Sequence, residues 1–276
     1  MPELPEVETV VRDLHAAGLA GRTIDHAEVG WHRTVGQPSV TLFCRRIAGA
    51  RIDDITRRAK YIVLSLSSGD TVFIHLRMTG RLELSTNASP RSPHTHVVLH
   101  LDQGEQLRYV DPRKFGRWVL TDTPDDITGA LGPEPLDAAF KASHFAERIE
   151  GHRRMLKPLL LDQHVIAGLG NIYVDEALWD AGLHPCRLSN TVAKDELNAL
   201  YRGVRKVLRR GIRAMGTSLG NADTNFYSVS GRRGRNKDGL RVFRRTGDPC
   251  PKCKTPIQRL MVGQRSTHIC PTCQVV

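Results

Sequence analysis

The last 27 residues carry Cys250-x2-Cys253-x16-Cys270-x2-Cys273, and no other feature restricts the fold so sharply. Two CxxC knuckles at this separation suit tetrahedral thiolate coordination of one zinc ion far better than two disulfides. With sulfur at all four positions the site is closed, so the metal is structural and has no open position for a reacting water. The turn between the knuckles reads MVGQRST and puts Arg265 just past a bend at Gly263. A zinc-stapled β-hairpin could present that arginine to a groove, or it could be an ordinary surface residue. Cys44 and Cys186 lie outside the pattern and suit packing.

Charge is unevenly placed along the 276 residues. Residues 1–135 hold 16 Lys+Arg and 17 Asp+Glu, whereas 136–276 hold 24 and 12, so the formal excess of +11 belongs to the second half. A basic half beside a neutral one points to a polyanion, most simply nucleic acid, because phosphate contact releases counterions. No apolar run reaches membrane-spanning length and the acidic start is unlike a leader, so no membrane role is expected and the cytoplasm is the expected compartment.

Apolar residues at 7, 10, 11, 14 and 19, with acids in the first turn, predict a helix from Glu3 to Leu19. YIVLSL (61–66), SSGD and TVFIHL (71–76) read as strand, turn and strand, as do HVVLHL, DQGEQ and LRYVD, so the first half should be antiparallel sheet. Gly132-Pro133-Glu134-Pro135 is a linker, and the pattern beyond it is helical. In 194–215 an apolar stripe leaves Arg202, Arg205, Lys206, Arg209 and Arg213 outside it, either as a solvated face or as a DNA contact. GLGNIYVDEAL places Asn171 as a helix cap with Asp175 and Glu176 in the first turns, where exposed N–H groups could receive a phosphate. Residues 216–240, rich in Gly, Ser, Asn and Arg, should form a mobile loop.

Two further segments pose a choice. HLRMTGRL (75–82) and YVDPRKFGRW (109–118) set Met78 and Phe115 among basic residues. Buried, they are core; exposed with Arg113, they are a kit for entering a base stack. The opening MPELPEVETV adds a third clue, since removal of Met1 would leave the secondary amine of Pro2 as a nucleophile on a helical mount.

Taken together, PELPEVET, RRAKY (57–61), HLRMTGRL, DPRKFG, KPLLLDQ (157–163), GLGNIYVDEAL and the terminal four cysteines resemble, in order and over the whole chain, the bacterial formamidopyrimidine-DNA glycosylases, relatives of endonuclease VIII. The resemblance implies an α+β multidomain chain. An N-terminal helix and antiparallel β-sandwich would occupy 1–133, a helical helix–two-turn–helix domain with a lesion-capping loop (216–240) would occupy 136–240, and a β-hairpin zinc ribbon 241–276. It implies a monomer acting on double-stranded DNA with an oxidised base, excising 8-oxoguanine and formamidopyrimidines and then cutting the strand. Its catalytic residues would be Pro2, Glu3, Lys60 and Arg265. His75, His94, Arg113, Arg153, Lys157 and Asn171 would hold DNA, Met78, Arg113 and Phe115 would fill the gap left by the extruded nucleotide, and Cys250, Cys253, Cys270 and Cys273 would bind the zinc. VFRR (242–245) stands where the family has VYGR, which removes a hydroxyl at Phe243, and the 216–240 loop is longer than usual. Two other readings stay open: an endonuclease VIII-like enzyme for oxidised pyrimidines, and a zinc-ribbon DNA-binding protein without catalysis.

Overall fold

The computed structural model describes residues 1–220 and 226–276. The chain divides into two compact units, Met1–Gly129 with Ala214–Lys237, and Ala130–Arg213 with Asp238–Val276. The segment after residue 213 therefore returns to the first unit, whereas the sequence reading grouped 216–240 with the helices.

In the first unit, helix α1 (Leu4–Ala16) opens on a capping box in which Glu3 and Glu6 satisfy each other's backbone N–H groups. Val7, Val10 and Leu14 point one stripe into the core, at three- and four-residue spacing. The strands are β1 (Ile24–Val29), β2 (Val35–Gln37), β3 (Ile52–Arg58), β4 (Tyr61–Leu66), β5 (Thr71–His75), β6 (Arg81–Thr86), β7 (Thr95–Leu101), β8 (Glu105–Val110) and β9 (Arg117–Thr121), with helix α2 (Val40–Ile47) before β3 and a single turn, α3 (Asp125–Thr128), after β9. They form a four-stranded sheet, β1-β7-β8-β6, and a five-stranded sheet, β2-β9-β5-β4-β3. Pairing is antiparallel as expected, apart from a short parallel contact between β2 and β9. Leu82, Leu99, Leu107 and Tyr109 from one sheet and Ile62, Leu64, Ile74 and Trp118 from the other meet in one core, and α1 lies against β3 and β4. This is the sandwich geometry.

The second unit holds α4 (Ala142–Glu150), α5 (Leu156–Leu161), α6 (Asn171–Ala181) and α7 (Lys194–Arg213), followed by a hairpin of β10 (Gln258–Val262) and β11 (Arg265–Ile269). Helix α6 is enclosed nearly all round from Ile172 to Trp179, its two carboxylates Asp175 and Glu176 included. It packs on α5, α7 and β11, so it is the beam on which the unit is assembled. The basic face of α7 serves the protein itself in part: Arg205 donates to the carbonyls of Pro135 and Asp137, Lys206 pairs with Asp180 and Arg210 with Glu176.

Candidate functional site

Pro2 is buried and sits one residue ahead of the helix cap, so the start of the chain has a fixed direction. Glu3 is 2% exposed and its N–H donates to Glu6 Oε2 at 2.9 Å. The other Glu6 oxygen accepts from Thr217 N at 2.7 Å, so one buried carboxylate fixes both the head of α1 and a segment 211 residues downstream. Lys60 follows Ala59, whose positive φ of 53° turns the chain between β3 and β4, and its side chain is enclosed rather than solvated.

His75, expected on the DNA backbone, is buried beside this lysine. Its Nδ1 accepts from Arg77 N at 3.0 Å, which leaves the proton of the neutral ring on Nε2. Burial, then the charges of Arg77 and Lys60, push its pKa down to about 3. The unfolded chain takes up a proton on this ring near pH 6.5 and the folded one does not, so His75 costs stability increasingly as pH falls from about 6.5 toward 3 and nothing above. Nitrogen-detected NMR should show this ring neutral and unchanging from about pH 5 to 8; an imidazole that titrates in that window would contradict the geometry.

The choice posed by Met78 and Phe115 resolves toward exposure, at 43% and 47%. The Arg113 guanidinium lies over the Phe115 ring, 4.8 Å from its centroid, so an apolar wedge and a cation form one stacked unit. The organiser is Asp111, which sequence reasoning missed. It is 0% exposed, and its carboxylate accepts from Thr79 Oγ1, Arg113 N, Tyr109 OH and Gly116 N. One carboxylate thus joins the Met78 loop to the Arg113–Phe115 loop. A Cβ at Gly116 would stand 1.5 Å from the Tyr109 hydroxyl, so only glycine lets that loop close on the tyrosine. His94 is exposed between β6 and β7.

In the second unit, Arg153 is exposed but Lys157 is not. Expected to hold DNA, Lys157 is instead wholly enclosed, with Nζ 2.6 Å from Asp175 Oδ1 and 3.0 Å from the Ser266 carbonyl. Asp175 Oδ2 accepts from His268 N at 2.9 Å, which fastens β11 to α6. Neighbouring Glu176 accepts from the backbone N–H groups of Arg241, Val242 and Phe243, fastening the approach to the hairpin. The sequence places these acids in the first turns of a helix; burial makes them latches. Asn171 is also not the cap. Gly170 takes that position, and Asn171 Nδ2 reaches Ser266 O at 2.9 Å. Asn171 lines an open pocket of about 480 Å³ with Arg244, Arg259, Ser266 and His268.

Gly263 and Gln264 both have positive φ, 55° and 61°, the two-residue turn that matches the twist of a hairpin. Arg265 follows as the first residue of β11, paired with Val262, and is exposed at the tip as expected. At the other end, the Sγ atoms of Cys250, Cys253, Cys270 and Cys273 lie within 4.8 Å of one another. Separations of 3.3 Å (Cys253–Cys270), 3.4 Å (Cys253–Cys273) and 3.9 Å (Cys250–Cys273) are too long for disulfides. They approach the edge of about 3.8 Å that a tetrahedron with 2.3 Å zinc–sulfur bonds requires. Trp179 Nε1 donates to Cys250 Sγ at 3.4 Å, an outer contact invisible in the sequence. The four cysteines are the site of one zinc ion.

Three family descriptions match in succession: the formamidopyrimidine-DNA glycosylase N-terminal domain over residues 1–118, its H2TH domain over 131–223, and the zinc finger found in FPG and IleRS over 247–275. The formamidopyrimidine-DNA glycosylase of Protochlamydia amoebophila is 46% identical, with 99% of each chain covered, and that of Herpetosiphon aurantiacus is 45% identical over 99% of this chain and 100% of its own. Among solved structures, a variant of the Lactococcus lactis FPG in complex with Fapy-dG DNA superposes with a TM-score of 0.92 at 35% identity, covering 100% of both chains. A MutM complex with DNA containing carbocyclic 8-oxo-G gives a TM-score of 0.91 at 35% identity, again over 100% of both. Fold, finger and likeness along the full length agree: the chain belongs to the formamidopyrimidine-DNA glycosylase family.

Proposed function

We propose that this protein is a DNA repair glycosylase and abasic-site lyase that removes oxidised purines, 8-oxoguanine and formamidopyrimidines, from double-stranded DNA. The observation that carries the reading is the mount of Pro2, a buried proline fixed by a capping box at the head of a core-packed helix. Once Met1 is removed, its ring nitrogen is a secondary amine, with a reference pKa of about 8 and hence a useful neutral fraction near pH 7. The amine attacks C1′ of an extruded nucleotide, the bond to the damaged base breaks and the base leaves with the electron pair. The sugar ring opens and nitrogen and carbon share an iminium, cationic without further protonation. This electron sink allows β- and then δ-elimination of the flanking phosphates. Glu3 gives and takes the protons of ring opening, Lys60 and Arg265 contact phosphate and assist elimination, and Met78, Arg113 and Phe115 occupy the space the nucleotide vacates. Asn171, His94 and Arg153 hold the backbone. His75 and Lys157 act by position, His75 with its Nδ1 taken by Arg77 N and Lys157 paired to Asp175. No helix among the described residues is long and apolar enough to cross a membrane. The proposal includes a monomer that acts in the cytoplasm.

Borohydride trapping on a duplex with 8-oxoguanine opposite cytosine tests the chemistry. The native protein, shown by intact mass to lack Met1, should give a covalent adduct that Pro2→Gly does not; no adduct from such protein would leave only a DNA binder. Faster excision of an oxidised pyrimidine than of 8-oxoguanine would move the enzyme to the endonuclease VIII-like reading. Glu3→Gln keeps a capping acceptor but loses the proton, so excision should fall about 10²–10⁴-fold with DNA affinity unchanged. Equal loss of affinity would make Glu3 a structural cap.

A further inference from the structure

Segment 226–237 crosses back onto α1 and is tied down along it. Asp13, 8% exposed, accepts from Ser230 N at 3.2 Å, Ser230 Oγ at 2.9 Å and Arg232 Nη2 at 3.1 Å. Two helical turns earlier, on the same side of α1, Glu6 holds Thr217. Phe226 and Val229 pack on the core of the first unit, and Arg233 and Arg235 bridge to Tyr227 and Thr217 through their backbones. The strap alternates strictly from there: Gly234 and Asn236 are buried, whereas Arg233, Arg235 and Lys237 are exposed.

A solvated surface intersperses both signs of charge, but this one does not. Residues 1–129 hold 16 Lys+Arg and 16 Asp+Glu, whereas 214–237 hold four and one, so the strap supplies the entire net positive charge of its unit. Asp13 offsets Arg232. Arg233 stacks on Tyr227, 5.6 Å from the ring centroid, with Nη2 3.3 Å from the hydroxyl, which orders the side chain at low entropic cost before any partner arrives. Among the described residues no carboxylate pairs with Arg233 or Arg235. Residues two apart on an extended chain stand about 6.6 Å apart on one face, and a guanidinium fork suits phosphate oxygens.

We infer that Arg233 and Arg235 bind DNA phosphates, making the strap a backbone contact of the first unit in addition to the lesion chemistry; the inference rests on the DNA-repair reading above. The test is binding of an undamaged duplex by the zinc-loaded protein over a range of salt concentrations. At about 0.9 per phosphate, R233A/R235A should make log K against log salt shallower by about 1.8. R233K/R235K should keep the native slope, and R51A, at an exposed arginine paired with Asp53, should not change it. A native slope in R233A/R235A, with an unchanged melting temperature, overturns the inference, as does an equal change in R51A. A native protein that fails to excise any lesion while its slope still depends on Arg233 and Arg235 would sink the catalytic reading and leave the phosphate contact standing.

Discussion

Stripping zinc from Cys250, Cys253, Cys270 and Cys273 will unfold the finger, abolish tight DNA binding and leave the β-sandwich folded. A two-stranded hairpin is marginal on its own. The finger's core amounts to Trp179, Val242, Cys250, Ile257 and Cys270, two of them zinc ligands. Structural zinc in such small folds contributes on the order of 10–16 kcal/mol at neutral pH, far more than this core can replace. Without metal the four thiols, crowded within 4.8 Å, lose their common partner. Arg265 then loses its mount, although its own contacts are untouched. Chelation, or Cys270→Ser, should remove a distinct low-temperature transition in calorimetry and eliminate binding of abasic-site duplex, while amide signals of β4, β5 and β9 persist. A chelated protein that keeps both its calorimetric profile and its affinity would show that the latches on α6, and not the metal, hold the finger.

What could be read in the sequence was what local pattern encodes. The α1 stripe, the two strand–turn–strand stretches, the linker at 132–135 and the cysteine spacing each lie within about 25 residues, and each has a physical signature at that range. The parallel β2–β9 contact, which joins residues some 80 positions apart, has none. Neither has the return of 226–237 to α1, because a polar, glycine-rich stretch looks like loop whether or not a buried aspartate holds it. The motifs a chain displays also hide which charges are buried. Asp111 lies inside DPRKFG, yet the motif draws attention to Arg113 and Phe115, which the aspartate only positions. Asp175 and Glu176 are legible as acids in the first turns of a helix, and only tertiary packing shows that both are enclosed. Residues 221–225, within the predicted loop, lie outside the described residues.

Lys157→Met will be among the most destabilising substitutions in the second unit, and its damage will appear at the finger tip. The Lys157–Asp175 pair is 0% exposed on both sides. Removing one partner of an enclosed ion pair typically costs about 3–5 kcal/mol, because the remaining charge has lost its counterion and cannot reach water. The ammonium also donates to Ser266 O, and Asp175 also holds His268 N, so the pair spans from α5 through α6 to β11. Met has nearly the volume of Lys, which separates loss of charge from loss of packing. If Lys157 touched DNA, K157M would weaken binding and leave stability alone. The enclosed geometry predicts the reverse order: denaturant midpoint falls first, and affinity falls with it as Arg265 drifts on a loosened β11. The double variant K157M/D175N, which removes both charges, should recover part of the lost stability, since no uncompensated carboxylate remains. Single and double variants compared by urea denaturation decide the matter, and a K157M protein of native stability with impaired DNA binding would return this lysine to the DNA.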